Sequence, residues 1–117
     1  MNCLIADDIP IILRGEIRVV INVLGEDTKI FEAEYSKKVL EIVKENHIDI
    51  AILDVEMPKE NGIELAKKIK AMQPDIKVIL TSGDERYESD ALAAGAIGFI
   101  VKPMSEKRLM KCLQGKL

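Results

Sequence analysis

Short apolar runs alternate with longer segments in which apolar residues recur every three or four positions, and the alternation repeats five times along the chain. The runs predict strands at residues 2–6, 28–33, 49–53, 76–80 and 98–101. Between and after them the helical period predicts five helices. The first covers residues 10–24 and sets Leu13, Ile17, Val20 and Leu24 on one face, although its end, "VVINVL", is β-branched enough to suit a strand locally. The second, residues 36–46, presents Val39, Leu40 and Val43; the third, residues 62–72, presents Leu65, Ile69 and Met72 before Pro74 stops it. A fourth is expected from Asp84, as N-cap, to Gly95, and a fifth from Ser105, with Leu109, Cys112 and Leu113 inward.

Strand followed by helix, five times, predicts an α/β fold: a five-stranded parallel sheet, doubly wound as (βα)5, with right-handed crossovers. In such sheets functional groups gather beyond the carboxyl ends of the strands. The third strand makes this concrete, because the apolar run Ile50-Ala51-Ile52-Leu53 ends in a carboxylate, Asp54. A strand that apolar is buried on both faces, so its terminal acid belongs where water, a metal or a substrate reaches it. The other strand ends carry Asp7 and Asp8, Thr81 and Ser82, and Lys102, while the second strand contributes nothing so plain.

Three carboxylates beside one ammonium leave a local formal charge of about −2, which a divalent cation would relieve. With few ligands on offer, all of them oxygen, Mg2+ suits the set better than Ca2+. Mg2+ with a carboxylate, a lysine and a hydroxyl is equipment for handling a phosphoryl group, with Asp54 as nucleophile. Taken singly, each acid is better explained as a helix cap or as turn chemistry. Three strand ends carrying the needed groups together are poorly explained by capping.

Composition narrows the alternatives. The 117 residues suit a single domain and leave no room for a second. A net charge of −3 advertises neither a nucleic-acid nor a membrane surface, and neither a membrane span nor a signal peptide is visible, so the protein is expected in the cytoplasm. Cys3 and Cys112 stand far apart, with only His47 to complete a metal site; both thiols are expected to pack as small apolar groups, and His47 is given no role.

The segments "LIADD", "ILDVEMPKENG", "VILTSGD" and "GFIVKPM" stand in the order and at the spacings of the receiver domain of bacterial two-component response regulators, which the chain resembles from Asn2 to about Leu113. The resemblance implies one receiver domain over residues 1–117 with a flavodoxin-like strand order 2-1-3-4-5. It implies that Asp54 accepts a phosphoryl group from a sensor histidine kinase or phosphotransfer protein. Asp8 and Asp54 would bind Mg2+ directly, with the backbone carbonyl of Glu56 as a further ligand and Asp7 acting partly through water. Thr81 and Lys102 would meet the phosphoryl oxygens, Ser82 would leave room for them, and the Lys102-Pro103 bond is often cis in the family. Phe99 would be the aromatic switch beside Thr81. The resemblance further implies a signalling switch rather than an enzyme, catalysing only its own aspartyl phosphorylation and dephosphorylation.

A charge at Glu56, where the family varies, is expected to tune the phosphate's lifetime. A homodimer through the fourth helix, fifth strand and fifth helix is a further expectation, although "GAIGF" resembles regulators of the LuxR type and lacks the acids of winged-helix regulators. No direct contact with nucleic acid or membrane is expected. Two rivals remain: a phosphohydrolase of the haloacid dehalogenase type, which prefers Asp where Glu56 stands, and a flavodoxin-like flavin carrier, whose phosphate loop would not be "ADDIP".

Overall fold

The computed structural model describes residues 1–117. In chain order the elements are β1 (Asn2–Ala6), α1 (Pro10–Leu24), β2 (Lys29–Ala33), α2 (Ser36–Glu45), β3 (Ile50–Asp54), α3 (Gly62–Met72), β4 (Lys77–Ser82), α4 (Glu88–Ala93), β5 (Gly98–Val101) and α5 (Glu106–Leu113). The five strands are parallel and lie in the order β2-β1-β3-β4-β5. No helix is long and apolar enough to cross a membrane.

Because strand side chains alternate, the sheet buries two separate cores. On one side Leu4, Ala51, Leu53, Val78 and Leu80 meet α2, α3 and α4. On the other, Cys3, Ile5, Ile52, Ile79 and Ile100 meet Leu13 and Val20 of α1 and Leu109 and Leu113 of α5. The apolar strands β1, β3 and β4 are central and covered on both faces, which is why they read as continuous runs rather than alternating ones.

Several boundaries differ from those expected. β4 continues two residues further, because Thr81 and Ser82 pair with Ile100 and Val101. β3 is shifted by one, taking in Asp54 and leaving Asp49 outside, where its carboxylate accepts from the Asn2 N–H at 2.7 Å. This hydrogen bond, helped by His47 at 3.2 Å, holds the Asp49 carboxyl below the usual range. The fourth helix is shorter than predicted: Asp84 caps a 3-10 turn, Glu85–Tyr87, and only then does α4 begin. Met72 is 42% exposed, since α3 seats Leu65, Ala66 and Ile69 and its last residue overhangs the core. Ile42 rather than Leu40 is the buried partner of Val39 and Val43 on α2. On α1 the inner stripe is Leu13, Glu16 and Val20, with Ile17 and Leu24 only half-buried.

The start of α3 locks the end of β3. The Gly62 N–H donates to the Val55 carbonyl at 2.8 Å, and a Cβ at Gly62 would run into the Asp54 carbonyl and come within 3.0 Å of Val55 Cα. Only glycine permits that approach. Gly62→Ala is expected to lower stability by about 1–3 kcal/mol, the usual scale of overpacking, and to displace the Asp54 backbone. Urea unfolding and amide chemical shifts of residues 54 and 55 measure both; an unchanged midpoint with unmoved shifts would contradict the contact.

Candidate functional site

Strand alternation assembles the site. Ile5, Ile52, Ile79 and Ile100 all face the α1 and α5 core, and two residues beyond each stands Asp7, Asp54, Thr81 and Lys102. Four chains of backbone therefore deliver three kinds of polar group to one face at one end of the sheet. Register completes the arrangement: Asp54 pairs with Thr81, and Thr81 with Ile100.

Lys102 Nζ lies 2.7 Å from Asp7 Oδ2 and 3.0 Å from Asp54 Oδ2. The second oxygen of Asp7 accepts from the Ile9 N–H at 2.9 Å, and Asp54 Oδ1 accepts from the Glu56 N–H at 3.1 Å. Asp7 thus does tie the turn into α1, as capping chemistry would have it, but with only one of its oxygens. One carboxylate oxygen each from Asp7, Asp8 and Asp54 lie within 4.8 Å of one another. Asp8 is the half-buried member of the three, while Asp7 and Asp54 are buried.

The charges are unevenly matched. Burial raises the Asp54 carboxyl above its ordinary value, against the pull of Lys102 and of the Glu56 N–H, and the Asp7 charge raises it further. Burial lowers the Lys102 ammonium, yet its hydrogen bonds to Asp7 and Asp54 outweigh that, and the net shift is upward. Both directions make sense together, because the ammonium sees two carboxylates whereas Asp54 is buried and sees one cation and another acid.

Thr81 is 1% exposed, and its Oγ1 has no hydrogen-bond partner. A buried hydroxyl without a partner costs free energy, and this one stands beside Asp54. Ser82, also buried, turns away from the acids: its hydroxyl donates to Glu56 Oε1 at 2.6 Å and accepts from the Asp84 N–H at 3.0 Å. The Glu56 side chain is held to β4 by that bond. Phe99 lies half-buried against the α2–α4 core, opposite Leu80 in register, so its ring and the Thr81 hydroxyl belong to opposite faces of the sheet. The Lys102-Pro103 bond is cis.

One residue escaped the sequence reading. Glu16 is 4% exposed, and neither of its carboxylate oxygens has a hydrogen-bond partner. Burial first, and then the neighbouring Asp7 charge, push its carboxyl up to about 8 against the attraction of Lys102. A signal was present: Glu16 falls three residues after Leu13 and four before Val20, in the middle of the α1 apolar stripe.

Comparison with known proteins agrees with this fold. The sequence profile of the family described as "Response regulator receiver domain" matches residues 3–114. The transcriptional regulatory protein LytR of Staphylococcus aureus is 38% identical over 109 residues, which are 93% of this chain and 44% of that protein. The chain therefore spans less than half of the LytR regulators that it matches. A response regulator receiver domain from Clostridium thermocellum has TM-score 0.84 at 27% identity, over 97% of this chain and 90% of that one. The response regulator TrrA from Thermotoga maritima, solved in complex with Mg2+-BeF, has TM-score 0.81 at 28% identity, over 99% and 98% of the two chains.

Glu16 generates a stability prediction. Burial on folding pushes its carboxyl from the ordinary value of 4.5 up to about 8, so the folded state holds the extra proton between those values. Stability contributed by that proton is intact below about 4.5 and is lost as pH rises towards about 8. Glu16→Leu is expected to remove this slope and, at the upper end of the window, to raise stability by roughly 1–3 kcal/mol, the scale of an unpartnered buried polar group. Denaturant unfolding in metal-free buffer across the window reads both effects; a leucine variant with the parent's slope would show that Glu16 is not the buried acid.

Proposed function

The chain belongs to the family of response regulator receiver domains, which are phosphorylation-controlled signalling switches, and on that premise we propose that Asp54 is its phosphoacceptor. The observation that carries this is the buried, unpartnered Thr81 hydroxyl beside a buried Asp54: a phosphoryl oxygen on Asp54 would supply the acceptor that Thr81 lacks. The donor would be a histidine kinase or a phosphotransfer protein. A carboxylate oxygen of Asp54 attacks the donor's phosphorus; the new P–O bond forms as the donor's P–N bond breaks, and the imidazole leaves. Lys102, already 3.0 Å from Asp54, neutralises charge on the transferred group.

Receiver domains bind Mg2+ at an acidic pocket, and the donor set here fits that ion: hard oxygen ligands from Asp7, Asp8 and Asp54, close together and short of positive charge. Asp8 and Asp54 would hold it directly, with the Glu56 carbonyl as a further ligand and Asp7 partly through water. When bound, Mg2+ supplies charge neutralisation of phosphoryl oxygens. These side chains serve the domain's own phosphorylation and dephosphorylation. The Ser82 bond to Glu56 holds that acid aside, and the readiness of this bond to open would set water's access to the acyl phosphate.

The surface that answers would be that of α4, β5 and α5. Thr81 drawn towards the phosphoryl group would loosen β4 beside Leu80, and Phe99, opposite Leu80, would change its burial. Phe99 has no hydroxyl to bind in either position, so packing alone would separate the two states. A homodimer through that surface is one partner in this reading. Both cores share one sheet, which supports reading residues 1–117 as one receiver unit.

With Mg2+ and acetyl phosphate, intact mass is expected to rise by one phosphoryl group, and Asp54→Ala to abolish the gain. Labelling that persists in the variant would move the acceptor elsewhere. Asp8→Ala is expected to weaken Mg2+ binding by at least about tenfold through loss of a direct ligand, measured by calorimetric titration. An unchanged isotherm would mean that the ion sits elsewhere.

A further inference from the structure

Lys102 is placed by more than its two ion pairs. It follows the last residue of β5, a four-residue edge strand, and leads into the turn before α5. Its own N–H donates to the Ser82 carbonyl at 2.8 Å, which fixes the backbone on the β4 side only. On the outer side the strand has no neighbour, and the carbonyls of Val101 and Pro103 need donors from elsewhere.

Arg108, from α5, supplies them. Its Nη1 lies 2.7 Å from the Val101 oxygen and 3.2 Å from the Pro103 oxygen, so one nitrogen bridges the carbonyls of the two residues that flank Lys102. The arginine is itself held in register, because its backbone N–H donates to the Ser105 hydroxyl at 3.2 Å in the cap of α5. α5 sits so close to β5 that a Cβ at Gly98 would meet Cys112 Sγ at 2.6 Å, which leaves the helix little room to drift. The Lys102 ammonium meets two carboxylates at once, at 2.7 Å and 3.0 Å, so the place of the backbone at residue 102 sets whether one stem reaches both.

We infer that Arg108 is the positioning residue for Lys102, stapling the turn so that the ammonium reaches Asp7 and Asp54 together. The inference rests on the role given to Lys102 above and extends it to a residue on the far side of the backbone. Arg108 touches neither phosphoryl group nor metal; it acts through the peptide groups. It also lies on the α5 surface, beside Lys111 and opposite Glu88 of α4, so a group docking there would reach the staple directly.

A double-mutant cycle on the full chain tests this, with acetyl phosphate as donor and saturating Mg2+. Arg108→Met is expected to slow phosphorylation of Asp54 about tenfold, less than the roughly hundredfold loss that a 1 Å misplacement can cause. Mg2+ affinity should not fall, since no carboxylate is touched and a displaced ammonium competes less for Asp7 and Asp54. Arg108→Lys, which keeps a cationic donor on a shorter side chain, should recover part of the rate. In a Lys102→Ala background, Arg108→Met should have no further effect. If it slows that background by the same factor, or leaves the parent rate unchanged while Lys102→Ala lowers it, the inference is wrong and the role of Lys102 stands. If Lys102→Ala leaves the rate unchanged, the role of Lys102 fails, and the inference with it. Should the methionine variant unfold, Arg108→Gln carries the same comparison.

Discussion

The ammonium of Lys102, 2.7 Å from Asp7 and 3.0 Å from Asp54, keeps together acids that would otherwise repel one another. Its reach depends on three strands ending at matching heights. β1, β3 and β5 are brought level by register: Ala6 pairs with Leu53, Asp54 with Thr81, and Thr81 with Ile100. A slip of one residue in any of these pairings would turn the polar group to the opposite face. The two apolar cores hold that register, and the polar end depends on them. One cation against three acids still leaves the site short of positive charge, which is the physical reason that its oxygen donors fit a divalent ion.

Much of this was legible in the residues. The alternation of apolar runs with helical segments gave the order of elements, because central parallel strands are buried on both faces and carry few polar residues. Asp7, Asp8, Asp54, Thr81 and Lys102 stood out because polar groups at the ends of apolar runs need a reason. Strand limits were less legible. Thr81 and Ser82 are polar and therefore resemble a strand's end, yet they continue β4, since pairing with β5 does not depend on side-chain polarity.

Glu16 was only faintly legible, for a different reason. Periodicity admits either residue 16 or residue 17 to the inner face of α1, and the usual aversion of charge to burial favours Ile17. The structure takes Glu16, where Asp7 and Lys102 make the surroundings polar. Arg108 was equally hidden: an arginine on an exposed helix face looks like solvated surface, and its attachment to the Val101 and Pro103 carbonyls is visible only once α5 is packed on β5.

The division of the strands into two faces has a further consequence, for how the site is joined to the surface. Asp7, Asp54, Thr81 and Lys102 continue the α1 and α5 side of the sheet, whereas Leu80, Ser82 and Phe99 belong to the α2–α4 side. Neighbouring residues of β4 therefore face different surroundings, Thr81 the acids and Leu80 the α2–α4 core. A change of shape at one face can reach the other only through the backbone that the two share. The pleat of β4 and β5 is thus both the partition between site and surface and the single mechanical link across it.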